Sequence, residues 1–347
     1  MKPINTALCS FGMSGWVFHA PFINVNPHFN LYAVWERNKN LAEKKYPAIK
    51  TYRKLEDMLA DDAVELVIVN TPNYTHYEYA KKALEAGKHV IVEKPFTINI
   101  DEGKELIELA RKKNKIVTVY QNRRYDSDYK TIRKVVNENL LGDLVEVEMH
   151  FDRFKEELSP KIHKEISGPG TGSLFDLGSH LIDQALQLFG MPKKLFADIR
   201  IVRPLSRVDD YWEILLYYEN LRVRIKSSYI VREALPGYIL HGLKGSFIKP
   251  KTDIQETLLQ RGVVPGKSDW GLEPETEKGL LHTEINGKVV REYVQSERGN
   301  YGEYYDEVFE SIRNEKPIHV TPGQGLNVIR IIEAAFRSHE TESVIKI

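Results

Sequence analysis

Residues 172–184, GSLFDLGSHLIDQ, place Asp176, His180 and Asp183 among Leu174, Leu177, Leu181 and Ile182, with Ala185 and Leu188 continuing the apolar pattern. Positions three and four apart are neighbours on a helix, so the spacing predicts a polar stripe facing a cleft. An imidazole with a near-neutral pKa suits removal of a hydroxyl proton. A carboxylate one turn earlier can orient the ring and stabilise its charged form. Lys94 stands in HVIVEKP, where the apolar run would expel an ammonium unless it points into a polar space. There it can hydrogen-bond a substrate oxygen and stabilise a developing alkoxide. Pro95, which follows, is a candidate for a cis peptide bond.

The elements that must hold these groups show two patterns. Up to about residue 123, the apolar runs TALCSFG, LYAVWE, ELVIVNTP, HVIVEKP and IVTVYQN alternate with helical segments. This predicts βαβ units and a doubly wound parallel sheet. The first run leads into SFGMSGWVFHAP, a partial dinucleotide fingerprint in which Ser10 replaces the first glycine and Gly12 and Gly15 supply the others. Gly12 would let the backbone approach a pyrophosphate and Gly15 would let the helix pack on the strand, with Met13 and Ser14 at the helix start. Glu36 ends the second run, where a carboxylate reads the ribose of NAD, and Arg37 beside it suits a 2′-phosphate. The balance favours NAD and leaves NADP open. Ligands of such sheets bind at the carboxyl edge, which makes Asn70, Thr71, Pro72, Asn73, His76, Glu93, Lys94 and Asn122 candidates for the cofactor.

Beyond residue 124, helix YKTIRKVVNENLLG, read as capped by Gly142, is followed by strand upon strand, with YENLR and INGK as hairpin turns. The reading is an α/β Rossmann domain, residues 1–123, and an α+β substrate and oligomerisation domain, 124–347, with an open, largely antiparallel sheet and a cleft between the two. The exposed sheet face suggests a homodimer or homotetramer. Asn122, Arg123 and Tyr238 are candidate substrate donors, whereas Arg124 and Asp126 read equally well as a structural salt bridge. Residues 251–279 form an insertion of the kind that can act as a lid.

The 347 residues carry 49 lysines and arginines against 49 aspartates and glutamates, so no net charge draws the chain to nucleic acid or an acidic membrane. The single cysteine, Cys9, excludes a disulfide or thiolate cluster within one chain, which fits a reducing cytoplasm. No segment has the length of a membrane span, and no pair of histidines or cysteines accompanies Asp176 and His180 as a metal site would require. The expected partner is a small molecule, with no metal.

With the Gly12/Gly15 loop, EKP at 93–95, QNRRYD at 121–126 and GTGSLFDLGSHLIDQ at 170–184 in order, the chain resembles the Gfo/Idh/MocA family of NAD(P)-dependent oxidoreductases over nearly its whole length. NRRYDSDY and LFDLGSHLIDQALQLFGMPK look most similar to its scyllo-inositol dehydrogenase branch. The resemblance implies a catalytic group of Lys94, Asp176 and His180 and hydride transfer between a nicotinamide and a secondary alcohol or ketone of a polyol, inositol or sugar. The departures are Ser10 and Gly237, the latter standing where relatives often have arginine. The alternatives are a cofactor-binding regulatory protein without turnover and an NAD-dependent glycoside hydrolase; the regulator would produce no NADH from a free polyol, and the hydrolase would regenerate its cofactor.

Overall fold

The computed structural model describes residues 1–266 and 268–347 and divides into two compact units. The first comprises residues 1–122, 254–270 and 300–326; the second comprises 123–253, 271–299 and 327–347.

In the first unit, β1 (Ile4–Leu8), β2 (Phe29–Trp35), β3 (Lys50–Tyr52), β4 (Leu66–Val69), β5 (His89–Val92) and β6 (Val117–Val119) form one sheet in the order β3-β2-β1-β4-β5-β6. Every pairing is parallel. The order reverses between β1 and β4, and that switch point is where such sheets bind nucleotides. All side chains of β4 and β6 are buried, as expected for strands covered on both faces. The connecting helices are α1 (Ala20–Val25), α2 (Leu41–Lys45), α3 (Leu55–Leu59), α4 (His76–Glu85) and α5 (Ile100–Lys113). α5 shows why the sequence stops and starts where it does. Asn99 accepts from the Glu102 amide at its start, acidic residues fill its first turn, basic ones its last, and Asn114 closes it in the left-handed region at φ 49°.

In the second unit, α6 (Ser127–Asn137), β7 (Leu144–His150), α7 (Ser179–Phe189), β8 (Lys194–Arg200), β9 (Tyr211–Tyr217), β10 (Arg222–Ser228), β11 (Tyr238–Gly242) and β12 (Gly245–Lys249) follow in turn. β13 (Gly279–Ile285), β14 (Lys288–Val294) and β15 (Ile345–Lys346) complete its strands, whereas α8 (Gln255–Gln260) and α9 (Gly302–Arg313) belong to the first unit and α10 (Pro322–Glu340) begins in the first and ends in the second. The nine strands form one sheet, β14-β13-β12-β11-β7-β10-β9-β8-β15, antiparallel except where β10 meets β7. The INGK turn joins β13 to β14 through Asn286 and Gly287 at φ 52° and 76°, the positive angles a tight hairpin needs.

Two boundaries differ from the sequence reading. α6 ends at Asn137 rather than at Gly142, which instead turns the chain at φ 65° just before β7. The expected lid is in part a piece of the first unit's core. Trp270 is 2% exposed, packs edge-on against Phe22 and donates to Gln255, whose side-chain oxygen also accepts from the Tyr301 amide. No helix among the described residues is long and apolar enough to cross a membrane.

Candidate functional site

The first unit builds a cradle at the carboxyl edge of its sheet. A Cβ on Gly15 would lie 2.5 Å from the Ser10 carbonyl oxygen, so glycine is required where the chain leaves β1 for a π-helical turn, Ser14–His19, that leads into α1. On Gly12 a Cβ would meet nothing closer than Ser10 Oγ at 3.9 Å, leaving the backbone open to an approaching group. Ser10 has no need of glycine's conformations. Its amide donates to Asn70 Oδ1 at 3.0 Å, its hydroxyl donates to the Asn70 carbonyl at 2.8 Å, and Asn70 Nδ2 returns a bond to the Ser10 carbonyl at 2.9 Å. These two candidate cofactor residues therefore lock β1 to β4.

The other strand ends are tied in the same way. Glu93 Oε1 accepts from Ser14 Oγ and from His19 Nε2, the latter at 2.9 Å, and His19 Nδ1 meets the Tyr305 hydroxyl at 2.8 Å. Burial pushes the Glu93 carboxyl up, but the hydrogen bond and charge of His19 outweigh it and hold the group below the usual carboxylate range. His76 is fully buried, with its ring nitrogens 2.8 Å from the Pro95 carbonyl oxygen and 2.9 Å from that of Thr71. Burial favours the neutral ring, whose single N–H donates to one of these carbonyls, so the side chain lies between the Thr71–Asn73 loop and the EKP turn. Within that turn Lys94–Pro95 is cis, as expected, and Lys94 follows β5 at the carboxyl edge that also carries the Gly12 loop.

Glu36 departs from its expected role. It is 7% exposed, and its two oxygens accept from the amides of Leu41 and Ala42 at 3.2 and 3.0 Å, so it caps α2. Arg53 staples the same loop by donating to the carbonyls of Glu36 and Lys39 at 2.8 and 2.7 Å. Arg37 and Lys39 remain exposed. Sequence reasoning also passed over Gln121, just beyond β6. It is 1% exposed, and neither of its amide atoms has a hydrogen-bond partner among the described residues. Its place in YQNRR, immediately before Asn122, was the available signal. The open Gly12 backbone and this buried amide are features that a dinucleotide fits, with the amide of Gln121 available to a polar group of the cofactor.

In the second unit the three residues of the predicted stripe stand in three environments. Asp176 lies in a π-helical turn, Leu174–Gly178; it is one-third exposed and paired with Lys164 Nζ at 3.0 Å. Gly172 precedes that turn at φ 97°, with the Asp209 carboxylate where a Cβ would project. Asp209 fixes the turn's entry by accepting from the amides of Ser173 and Leu174, through its carbonyl and its Oδ2. His180 is 5% exposed in the first turn of α7, its ring 6.5 Å from that of Phe151. Asp183 does not face a cleft. Its carboxylate takes two bonds from buried Arg124, at 2.7 and 2.6 Å, and the stripe is corrected accordingly.

The NRRYD segment divides its labour differently from the sequence expectation. Arg124 pairs with Asp183, while Asp126 accepts from Arg123 at 3.3 Å. Tyr238, expected to touch substrate, is fully buried; its hydroxyl donates to Gln184 Oε1 at 3.0 Å and accepts from Lys251 at 3.2 Å.

Family comparison agrees with this architecture. The NAD-binding Rossmann-fold model of the Gfo/Idh/MocA oxidoreductase family matches residues 4–121, and the family's C-terminal alpha/beta domain model matches residues 133–347. The chain belongs to this family of oxidoreductases. It is 36% identical to the scyllo-inositol 2-dehydrogenase (NADP(+)) IolW of Bacillus subtilis over 99% of this chain and 95% of that one. An uncharacterized oxidoreductase of Schizosaccharomyces pombe is 39% identical, with 99% of each chain covered. A crystal structure of a Bacteroides fragilis protein superposes with a TM-score of 0.92 at 46% identity over 100% of both chains.

Proposed function

We propose that the protein transfers hydride between a nicotinamide cofactor and a secondary alcohol or ketone of a polyol, inositol or sugar. The observation that carries this reading is Lys94, held after β5 at the sheet edge that bears the open Gly12 loop. When bound, the nicotinamide supplies the hydride acceptor or donor. Lys94 donates to the substrate oxygen and stabilises its developing negative charge, His180 takes the hydroxyl proton, and Asp176 stabilises the charged imidazole. Asn122 and Arg123 bind substrate hydroxyls. The 36% identity to a scyllo-inositol 2-dehydrogenase supports the polyol class. NADP serves at least as well as NAD, because Glu36 is committed to α2 while exposed Arg37 and Lys39 offer charge to a 2′-phosphate.

Assembly into a dimer or tetramer would use the outer sheet face, where Phe196 is 38% exposed and alternates with buried neighbours along β8. Light scattering at micromolar concentration tests this, and a monomer refutes it. The catalytic reading is tested by supplying polyols and sugars with each cofactor and following reduced nicotinamide. Net reduction on at least one free polyol or sugar is expected. A panel that yields none, with the cofactor bound, contradicts the reading.

A further inference from the structure

One carboxylate in the first unit joins the turn that follows β1 to the turn that carries Lys94. Ser14 opens the π-helical turn Ser14–His19 and His19 closes it. Both donate to the same oxygen at the end of β5, Glu93 Oε1, His19 Nε2 from 2.9 Å. The other oxygen, Oε2, accepts from the amide of Lys94 at 3.1 Å. A cluster of aromatic rings holds His19 in place. The imidazole is fully buried, with Nδ1 2.8 Å from the Tyr305 hydroxyl and its ring 4.5 Å from that of Tyr120. The Tyr305 and Tyr120 hydroxyls each lie 3.0 Å from the Phe18 carbonyl oxygen. The amide of Tyr120 donates to the Val92 carbonyl at 2.8 Å, which braces the strand leading into Glu93.

A nearly buried carboxylate is a costly way to join two turns unless both of its oxygens are used. Burial pushes the Glu93 carboxyl up, and the bond and charge of His19 more than offset this. The ionised group accepts on both oxygens at once. A glutamine in its place would set an NH₂ group either against the Lys94 amide or against Ser14 and His19, donor against donor. The two turns also differ in task. The first is where a dinucleotide phosphate meets the backbone at a helix start, and the second carries the ammonium assigned to the reacting oxygen.

We propose that Glu93 is a positioning residue for Lys94, holding its backbone in register with the turn that receives the cofactor, and that Ser14 and His19 set the carboxylate for this task. The proposal rests on the dehydrogenase reading for the step in which Lys94 acts, but the hold on the Lys94 backbone is separable from it.

The first measurement is amide hydrogen exchange at Lys94, by NMR on cofactor-free wild type and Glu93→Gln. Exchange should be about tenfold or more faster in the variant, with the amides of β5 and β6 unchanged. The second is single-turnover hydride transfer at saturating cofactor, with a substrate identified for the wild type, for Glu93→Gln, Lys94→Ala and the double variant. Glu93→Gln should slow transfer by roughly 10–10²-fold, as a misplaced catalytic group does. In the Lys94→Ala background the same substitution should cost less than about twofold, because a residue that acts through Lys94 then has nothing left to place. His19→Gln, which keeps an N–H for the carboxylate, should retain most of the rate that His19→Leu loses. Equal losses with and without Lys94 would make Glu93 a structural tie and overturn the proposal. Wild-type exchange at Lys94 in Glu93→Gln would overturn it as well. Should Glu93→Gln fail to fold, the two His19 variants carry both measurements, and identical behaviour of the two is then the contradicting result. Exchange at Lys94 that depends on Glu93, with no hydride transfer by the wild type on any polyol or sugar, would uphold the hold and sink the dehydrogenase reading. Hydride transfer by the wild type with exchange indifferent to Glu93 would do the opposite.

Discussion

The two units present polar groups in opposite ways. At the sheet edge of the first, many of the side chains are committed to the protein: Ser10 to Asn70, Glu93 to Ser14 and His19, His76 to two carbonyls, Glu36 to α2. What is left for a nucleotide is mainly backbone, opened by Gly12. In the second unit, Arg153 has no ion-pair partner among the described residues, and Arg123 and Lys251 share a carboxylate that titrates near neutrality. A cofactor common to many reactions can be held by backbone and shape, whereas choosing one substrate falls to side chains.

The largest effect should come from the group assigned to chemistry. Lys94→Ala should lower turnover by roughly 10²–10⁴ with cofactor affinity nearly unchanged, measured by steady-state kinetics beside a fluorescence titration of the reduced cofactor. A matching loss of cofactor affinity would place Lys94 with the cradle instead. Next, Asp183→Ala should cost about 3–5 kcal/mol of stability, because it strands buried Arg124, and the check is chemical denaturation. A change within error would mean the pair is replaceable by solvent.

A smaller effect belongs to pH. Asp126 is faced by Arg123, Lys251, Asp128 and Asp253, and its carboxyl is raised, first by burial, to about 7. It is neutral below that pH and ionised above it, so stability measured by chemical denaturation should fall as pH rises toward about 7, and Asp126→Asn should flatten that profile. The same shift means that the folded state holds the proton more tightly than the unfolded chain, so this group's contribution to stability declines as pH rises from the ordinary carboxylate range to about 7. Smallest is Arg37→Ala, expected to raise KM for NADP by about tenfold while leaving that for NAD alone. Equal changes for both cofactors would deny Arg37 any part in reading the phosphate.

The contrast between the units also explains what the sequence disclosed. The parallel sheet was legible because its strands are short and apolar throughout, and Gly12 and Gly15 because their spacing follows from a turn. His180 and Lys94 stood out as polar groups in apolar runs. Glu36 misled because a carboxylate at that position can read a ribose or cap the next helix, and only the course of residues 37–42 decides between them. The stripe misled for a similar reason: periodicity placed Asp183 beside His180 but could not reveal that Arg124, 59 residues away, takes it. The cations around Phe151 come from residues 123, 153 and 251, and no local pattern joins them.

The central claim is that His180 moves the proton while the first unit holds the cofactor, and single-turnover hydride transfer by His180→Asn tests it most directly. With saturating cofactor and a substrate identified for the wild type, the rate of nicotinamide reduction should fall by roughly 10²–10⁴. The melting temperature and reduced-cofactor affinity should stay at wild-type values. A His180→Asn protein that is folded, binds cofactor and transfers hydride at close to the wild-type rate would contradict the account.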